Sequence, residues 1–139
     1  MQFQQFQSKY ILRLDPGEEI VNSLQSFCEE QKIFLGQIYG IGAVNKAEVG
    51  LFNPKTRKYH SKKFNRNFEI APLFGNISIM QEKIYLHLHI NLCDEDHLCF
   101  GGHLNSAVVS ATFEGIIEKI EGWLEREFSQ KIGLNILKF

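Results

Sequence analysis

The run "KIYLHLHINL", residues 83–92, admits one regular structure that separates its side chains cleanly. At period two, Ile84, Leu86, Leu88 and Ile90 share one face, and Tyr85, His87, His89 and Asn91 share the other. This predicts a strand with one buried side. It also sets two imidazoles at alternate positions, roughly 6.5–7 Å apart at Cα. Such a pair can converge on one ion at the usual Zn–N length of about 2.0–2.1 Å.

A third ligand must come from another segment, and "CDEDHLCFGGHL" offers His103. If the acidic turn joins an antiparallel hairpin, directly opposed residues point to the same face. A three-residue loop, Asp94 to Asp96, sets His103 opposite His87, whereas a five-residue loop sets it opposite His89. An even loop turns His103 to the other face unless a bulge at Gly101-Gly102 shifts the register. Glycines here also suit close backbone approach. Histidine-only ligation would leave a position for water or substrate, as in catalytic zinc sites. A two-histidine alternation can equally be a polar sheet face, and the third histidine is what lifts the metal reading. His97 and His60 are weaker candidates, one beside the turn and one in a basic stretch. Cys93 and Cys99 share the nominal histidine face.

The remaining pattern is mostly strand. "YILRL" alternates with Tyr10, Leu12 and Leu14 on one side. "DPGEE" offers Asp15 as a cap and Pro16 at the first helical position. Ile20, Val21, Leu24, Phe27 and Cys28 follow at helical spacing, and the helix should fade near Gln31. "FLGQIYGIG", "AEVGLF", "FEIAPLFGNISIM" and "LNILKF" are further strand candidates, and "AVVSATFEGIIEKI" is a long one. "NPKTRKYHSKKFNRN" is expected as a turn with exposed flanks, and "EGWLEREFSQ" as a loop or short helical turn. One early helix against many strands gives an α+β class with a mostly antiparallel sheet. The "GIGAV" glycines lack the third glycine and the following helix of a nucleotide loop.

The 139 residues suit a single domain, taken as 1–139. A formal net charge of −1 gives no global field toward nucleic acid or anionic membrane. No apolar run reaches the ~18 residues of a membrane span. The polar start "MQFQQFQSKY" lacks a signal-peptide pattern, so a cytoplasmic location is expected. Three cysteines are too few for a disulfide framework and are expected as reduced thiols. Lys55, Arg57, Lys58, Lys62, Lys63 and Arg66 form an acid-free basic stretch with Tyr59, Phe64 and Phe68 between them. That stretch is either a solvated hairpin or a nucleic-acid-binding patch.

"RLDPGEEIVNSL", "GIGAV", "FNPKTRKY", "NFEIAPLFGNIS", "HLHINLCDEDHLCFGGHL" and "GLNIL" occur in order. Together they resemble the plants-and-prokaryotes conserved (PPC) domain family over nearly the whole chain. The resemblance implies a strongly bent antiparallel sheet packed with one main helix and assembled as a homotrimer. It implies zinc or a similar divalent metal at His87, His89 and His103. In plant members the domain follows an AT-hook and serves DNA-associated proteins. A stretch implicated there in partner contacts matches Arg66, Asn67, Phe68, Glu69 and Ile70. The chain has no Arg-Gly-Arg-Pro hook, and "NSAVV" follows "GGHL" where many relatives carry an acidic residue and a glycine.

Three functions follow as expectations. The first is a homotrimeric metal-binding module with a regulatory, partner-binding or DNA-associated role. The second is a metal-dependent enzyme on a small molecule. It needs a proton-transfer group, for which Glu48, Glu69 and Asp94 qualify by type alone. The third is DNA binding through the basic stretch.

Overall fold

A computed structural model describes all residues, 1–139. Nine strands and one helix follow in the order β1 (Gln2–Phe6), β2 (Lys9–Leu14), α1 (Ile20–Glu30), β3 (Gly36–Asn53), β4 (Lys58–Phe64), β5 (Phe68–Met80), β6 (Lys83–Cys93), β7 (Cys99–Lys119), β8 (Arg126–Ser129) and β9 (Leu134–Leu137). Seven strands form one sheet in the order β1-β2-β7-β6-β5-β3-β4, and β7 also pairs with β3. The hydrogen-bonded circuit β3–β5–β6–β7–β3 therefore closes on itself, every pair antiparallel. The α+β class and bent antiparallel sheet expected from the sequence are present.

The period-two strands bury the faces the sequence assigns to them. Tyr10, Leu12 and Leu14 are buried in β2, and Ile84, Leu88, Ile90 and Leu92 in β6. Each fully buried aliphatic side chain contributes about 1.5–3 kcal/mol of transfer free energy. Helix α1 adds Ile20, Leu24, Phe27 and Cys28 to the same core, with Phe27 edge-on to Phe3 at 5.0 Å and to Tyr10 at 5.5 Å.

The helix begins later than its sequence signals suggest. Asp15 does not cap it. Asp15, Pro16 and Gly17 form a turn closed by Glu18 N–H donating to the Asp15 carbonyl at 3.2 Å. Glu19 is the N-cap: its carboxylate accepts from Val21 N and Asn22 N. The same carboxylate accepts from Ala107 N at 2.8 Å, so the cap also ties the helix to β7. A tertiary partner, invisible at this range in sequence, decides between the two acids. Gln31 ends the helix where expected.

Other elements depart for similar reasons. The polar start forms β1, held by its ladder to β2. The two expected strands "FLGQIYGIG" and "AEVGLF" are one 18-residue strand, β3, with register shifts at Gly42 against both neighbours. The basic stretch supplies β4, an exposed edge strand whose lysines discourage further pairing. The segment read as loop or helical turn contains β8, stabilised by pairing with β9.

Gly101 and Gly102 carry no bulge: the β6–β7 register runs unbroken from Cys93↔Cys99 to His89↔His103. Their role is close approach. A Cβ on Gly102 would stand 2.6 Å from the Gly50 carbonyl oxygen of β3, at a backbone φ of +157°. Gly102→Ala should therefore destabilise the protein by about 1–3 kcal/mol. Thermal unfolding measures the loss, and an unchanged midpoint would show that β3 and β7 can separate freely there.

Candidate metal centre

Two hairpins place the three histidines. Gln81 and Glu82, both at positive φ, make the two-residue turn between β5 and β6, which sets Asn76 opposite His87 and Phe74 opposite His89. The five-residue turn Asp94–Leu98 joins β6 to β7 and sets His103 opposite His89, the second of the two odd-loop registers. The buried Asp94 carboxylate holds this turn by accepting from Asp96 N at 3.1 Å and Leu98 N at 3.0 Å. Arg66 adds an ion pair to it at 2.8 Å.

His87, His89 and His103 consequently share one sheet face. Their ring centroids lie 5.2, 5.2 and 5.6 Å apart. One ring nitrogen from each lies within 4.8 Å of those of the other two. Nitrogens bound tetrahedrally to one zinc at about 2.0–2.1 Å stand roughly 3.4 Å apart, so modest ring rotation brings the set to that spacing. The donor set suits zinc or another divalent first-row ion that accepts imidazole. A tetrahedral ion held by three protein ligands keeps one position open.

The surroundings of His87 and His103 favour the neutral imidazole, the form that binds metal. Burial pushes the His87 pKa down to about 4, with further depression from Arg126, His103 and His89. Burial, then His89, also lowers that of His103. His103 has the Tyr59 ring edge-on at 6.4 Å, and the Tyr59 hydroxyl donates to Asn105 Oδ1 at 2.7 Å.

Sequence reasoning missed the neighbouring groups on the same face. Arg126, at the start of β8, is only 7% exposed. Its Nε donates to Ser78 Oγ at 2.7 Å, Nη2 to Asn76 Oδ1 at 2.7 Å and Nη1 to the Asn135 carbonyl at 3.0 Å. Its guanidinium lies 4.9 Å over the Tyr85 ring. The "MQEK" stretch held part of this signal, because a two-residue turn there sets Asn76 opposite His87. Nothing local marks Arg126.

The other sequence candidates lie elsewhere. Glu48 pairs with Lys63 at 3.7 Å, Asp94 holds the turn, and Glu69 stands opposite Cys93, so none joins the histidine group. His60 and His97 are exposed. Lys55, Lys58, Lys62 and Lys63 lie exposed on the β3–β4 hairpin. Arg57, also exposed, donates to the Gln130 carbonyl at 3.0 Å, and Lys62 stands 5.1 Å over the Phe64 ring. Arg66 to Glu69 border an open cavity of ≈ 1020 Å³, while Phe68 and Ile70 are buried in the core. Cys93 and Cys99 are not reduced thiols here. Direct pairing across the hairpin, with Cα atoms 4.3 Å apart, joins them in a disulfide. Cys28 is free and buried, and burial raises its thiol pKa to about 12.

A closed antiparallel circuit with one capping helix and three converging imidazoles defines a small α+β protein with a candidate metal centre. The chain belongs to the Plants and Prokaryotes Conserved (PCC, also written PPC) domain family, whose sequence model matches residues 1–121. Hairpin β8–β9, with Arg126, lies beyond that match. Among solved structures, a Bacteroides thetaiotaomicron protein called a "putative dna binding protein" is 39% identical, with a TM-score of 0.97 over 99% of this chain and 96% of that one. A metal-containing protein from Archaeoglobus fulgidus is 32% identical, with a TM-score of 0.88 over 99% and 97% of the two chains. A plant- and prokaryote-conserved protein from Pyrococcus horikoshii is 27% identical, with a TM-score of 0.86 over 99% and 95%. No curated protein sequence matches the chain. No helix is long and apolar enough to cross a membrane.

The depressed His87 pKa has a consequence for stability. Between about pH 6.5 and about pH 4 an unfolded histidine takes up a proton that folded His87 refuses. The unfolded chain binds more protons in that window, so stability rises with pH through it and levels off above. Metal-free protein should thus melt at a lower temperature near pH 5 than near pH 7, and His87→Gln should flatten that slope. An identical slope in the variant would assign the titration to other groups.

Proposed function

We propose that this protein is a homotrimeric metal-binding domain that holds zinc or a similar divalent ion at His87, His89 and His103 and serves a regulatory, partner-binding or DNA-associated role. The observation that carries the reading is the approach of three ring nitrogens to within 4.8 Å of one another, from two strands whose register is fixed by turns. The Archaeoglobus relative, called metal-containing and 32% identical, supports the metal. The name of the Bacteroides relative supports an association with DNA, for which the exposed lysines of the β3–β4 hairpin are the candidate contact. Self-association is supported by large apolar side chains left in solvent beside the histidines. Phe74, opposite His89, is 54% exposed, and Tyr39, opposite Phe74, is 41% exposed.

A second reading, a metal-dependent enzyme on a small molecule, is favoured by the histidine-only donor set, which leaves room for water or substrate. It is weakened because none of Glu48, Glu69 and Asp94 joins the cluster, and hydrolytic chemistry needs a proton-transfer group in reach. Turnover that appears in metal-loaded protein and disappears on stripping would promote this reading over the first.

Protein purified without a histidine tag should contain about one metal ion per chain by elemental analysis. The double substitution His87→Ala and His103→Ala should remove it while the gel-filtration size stays that of a trimer. Full metal content in the double variant would refute the ligand assignment. Retention at monomer size in the parent protein would refute the trimer. For DNA, affinity should fall steeply with added salt and on replacing Lys62 and Lys63 with Ala. A flat response to both would remove the DNA role.

A further inference from the structure

The histidine cluster supplies no negative charge to a divalent ion, and neither do the groups beside it around Arg126. All three hydrogen-bond partners of Arg126 are neutral: Ser78 Oγ, Asn76 Oδ1 and the Asn135 carbonyl. No carboxylate forms an ion pair with this buried guanidinium. Burying a cation without a counter-charge is costly, and a divalent ion at the neighbouring imidazoles would deepen the local positive potential.

Asn76 stands between these two centres of charge. It lies directly opposite His87 on the same sheet face, where opposed Cβ atoms are about 4.5–5.5 Å apart. A guanidinium only donates, so the amide atom facing Arg126 is the oxygen, and the amide NH2 is turned away from it. That NH2 has no acceptor within the protein and is not sealed from solvent. A half-buried asparagine is thus braced at one end and left with a free, oriented donor at the other.

We propose that the open position at the three-histidine centre takes a small carboxylate ligand, with Asn76 Nδ2 donating to it and Arg126 acting as the positioning residue that fixes the Asn76 amide and supplies a compensating field. The proposal rests on the metal reading above and names the ligand class of that same site. A carboxylate matches the available groups. One oxygen faces the ion and the other meets the single braced amide, whereas a phosphate would bring further oxygens with no fixed donor. It also returns negative charge to a site that has none of its own.

The test uses full-length protein loaded with Co²⁺, read by its visible spectrum and its cobalt content. Acetate, added at constant ionic strength, should shift the spectrum saturably, and inorganic phosphate should not. Asn76→Ala should keep the cobalt stoichiometry and bind acetate at least about tenfold more weakly, the loss expected for one hydrogen bond to a charged group. Asn76→Asp should show a shifted spectrum without acetate and no further response to it. Arg126→Gln should weaken acetate as Asn76→Ala does, and Arg126→Lys should restore part of the loss by restoring the charge. If the Arg126 variants do not fold, the two Asn76 variants decide. Cobalt uptake without an acetate response, or a response to phosphate alone, overturns the carboxylate assignment and leaves the metal reading standing. Acetate binding by Asn76→Ala within about twofold of the parent overturns the role of Asn76. Failure to take up cobalt overturns both readings.

Discussion

The register of β6 between its two neighbours is the constraint from which the rest of the molecule follows. On one side of this strand Ile84, Leu88, Ile90 and Leu92 are packed into the core. On the other side stand His87 and His89. A slip of one residue would send the imidazoles into that core and four aliphatic side chains into water, a loss of several kcal/mol from transfer free energy alone. The turns at Gln81-Glu82 and Asp94–Leu98 reinforce the same register from both ends. Packing and turn geometry thus agree on a single arrangement, and the histidine cluster is its by-product.

Closure of the sheet then turns that strand face into a site. Strands β3 and β7 are long enough to pair with different neighbours along their lengths, and glycines let them come close. Gly50 of β3 is the ladder partner of His103, and Gly102 has room beside the Gly50 carbonyl only because it lacks a side chain. His103 is held from one side by β6 and from the other by β3. A third histidine fixed on both edges keeps the cluster together by strand pairing alone, which would lower the cost of organising it around an ion.

Beside the cluster, on the same sheet face, the C-terminal hairpin contributes a residue that no periodic pattern could identify. Arg126 reaches from β8 to Ser78 and Asn76 on β5 and covers Tyr85 on β6, so one side chain fastens the small two-stranded sheet to the large one. It also places a fixed cation near His87 and holds one amide beside it. The family match ends before this residue, while the histidines lie well within it. The imidazoles therefore lie within the match, and the brace beside them comes from the segment that follows.

Read alone, the sequence determined the class, the buried faces of β2 and β6, the helical stripe and the shared face of His87 and His89. These are properties of local periodicity, and the physics that sets them acts over a few residues. It left open whether an odd or an even loop joins β6 to β7, and so whether His103 reaches the face of the other two; the five-residue turn decides this. It misplaced the helix cap, because Ala107, far along the chain, selects Glu19 over the Asp15 signal. It divided β3 at Gly42, where a strand that bends reads like one that ends. It took Cys93 and Cys99 for separate thiols, although the five-residue turn makes them direct partners. Only the tertiary structure brought Arg126 to Asn76, 50 residues apart along the chain, since a contact at that separation is fixed by how the sheets pack and leaves no trace in the spacing of neighbouring side chains.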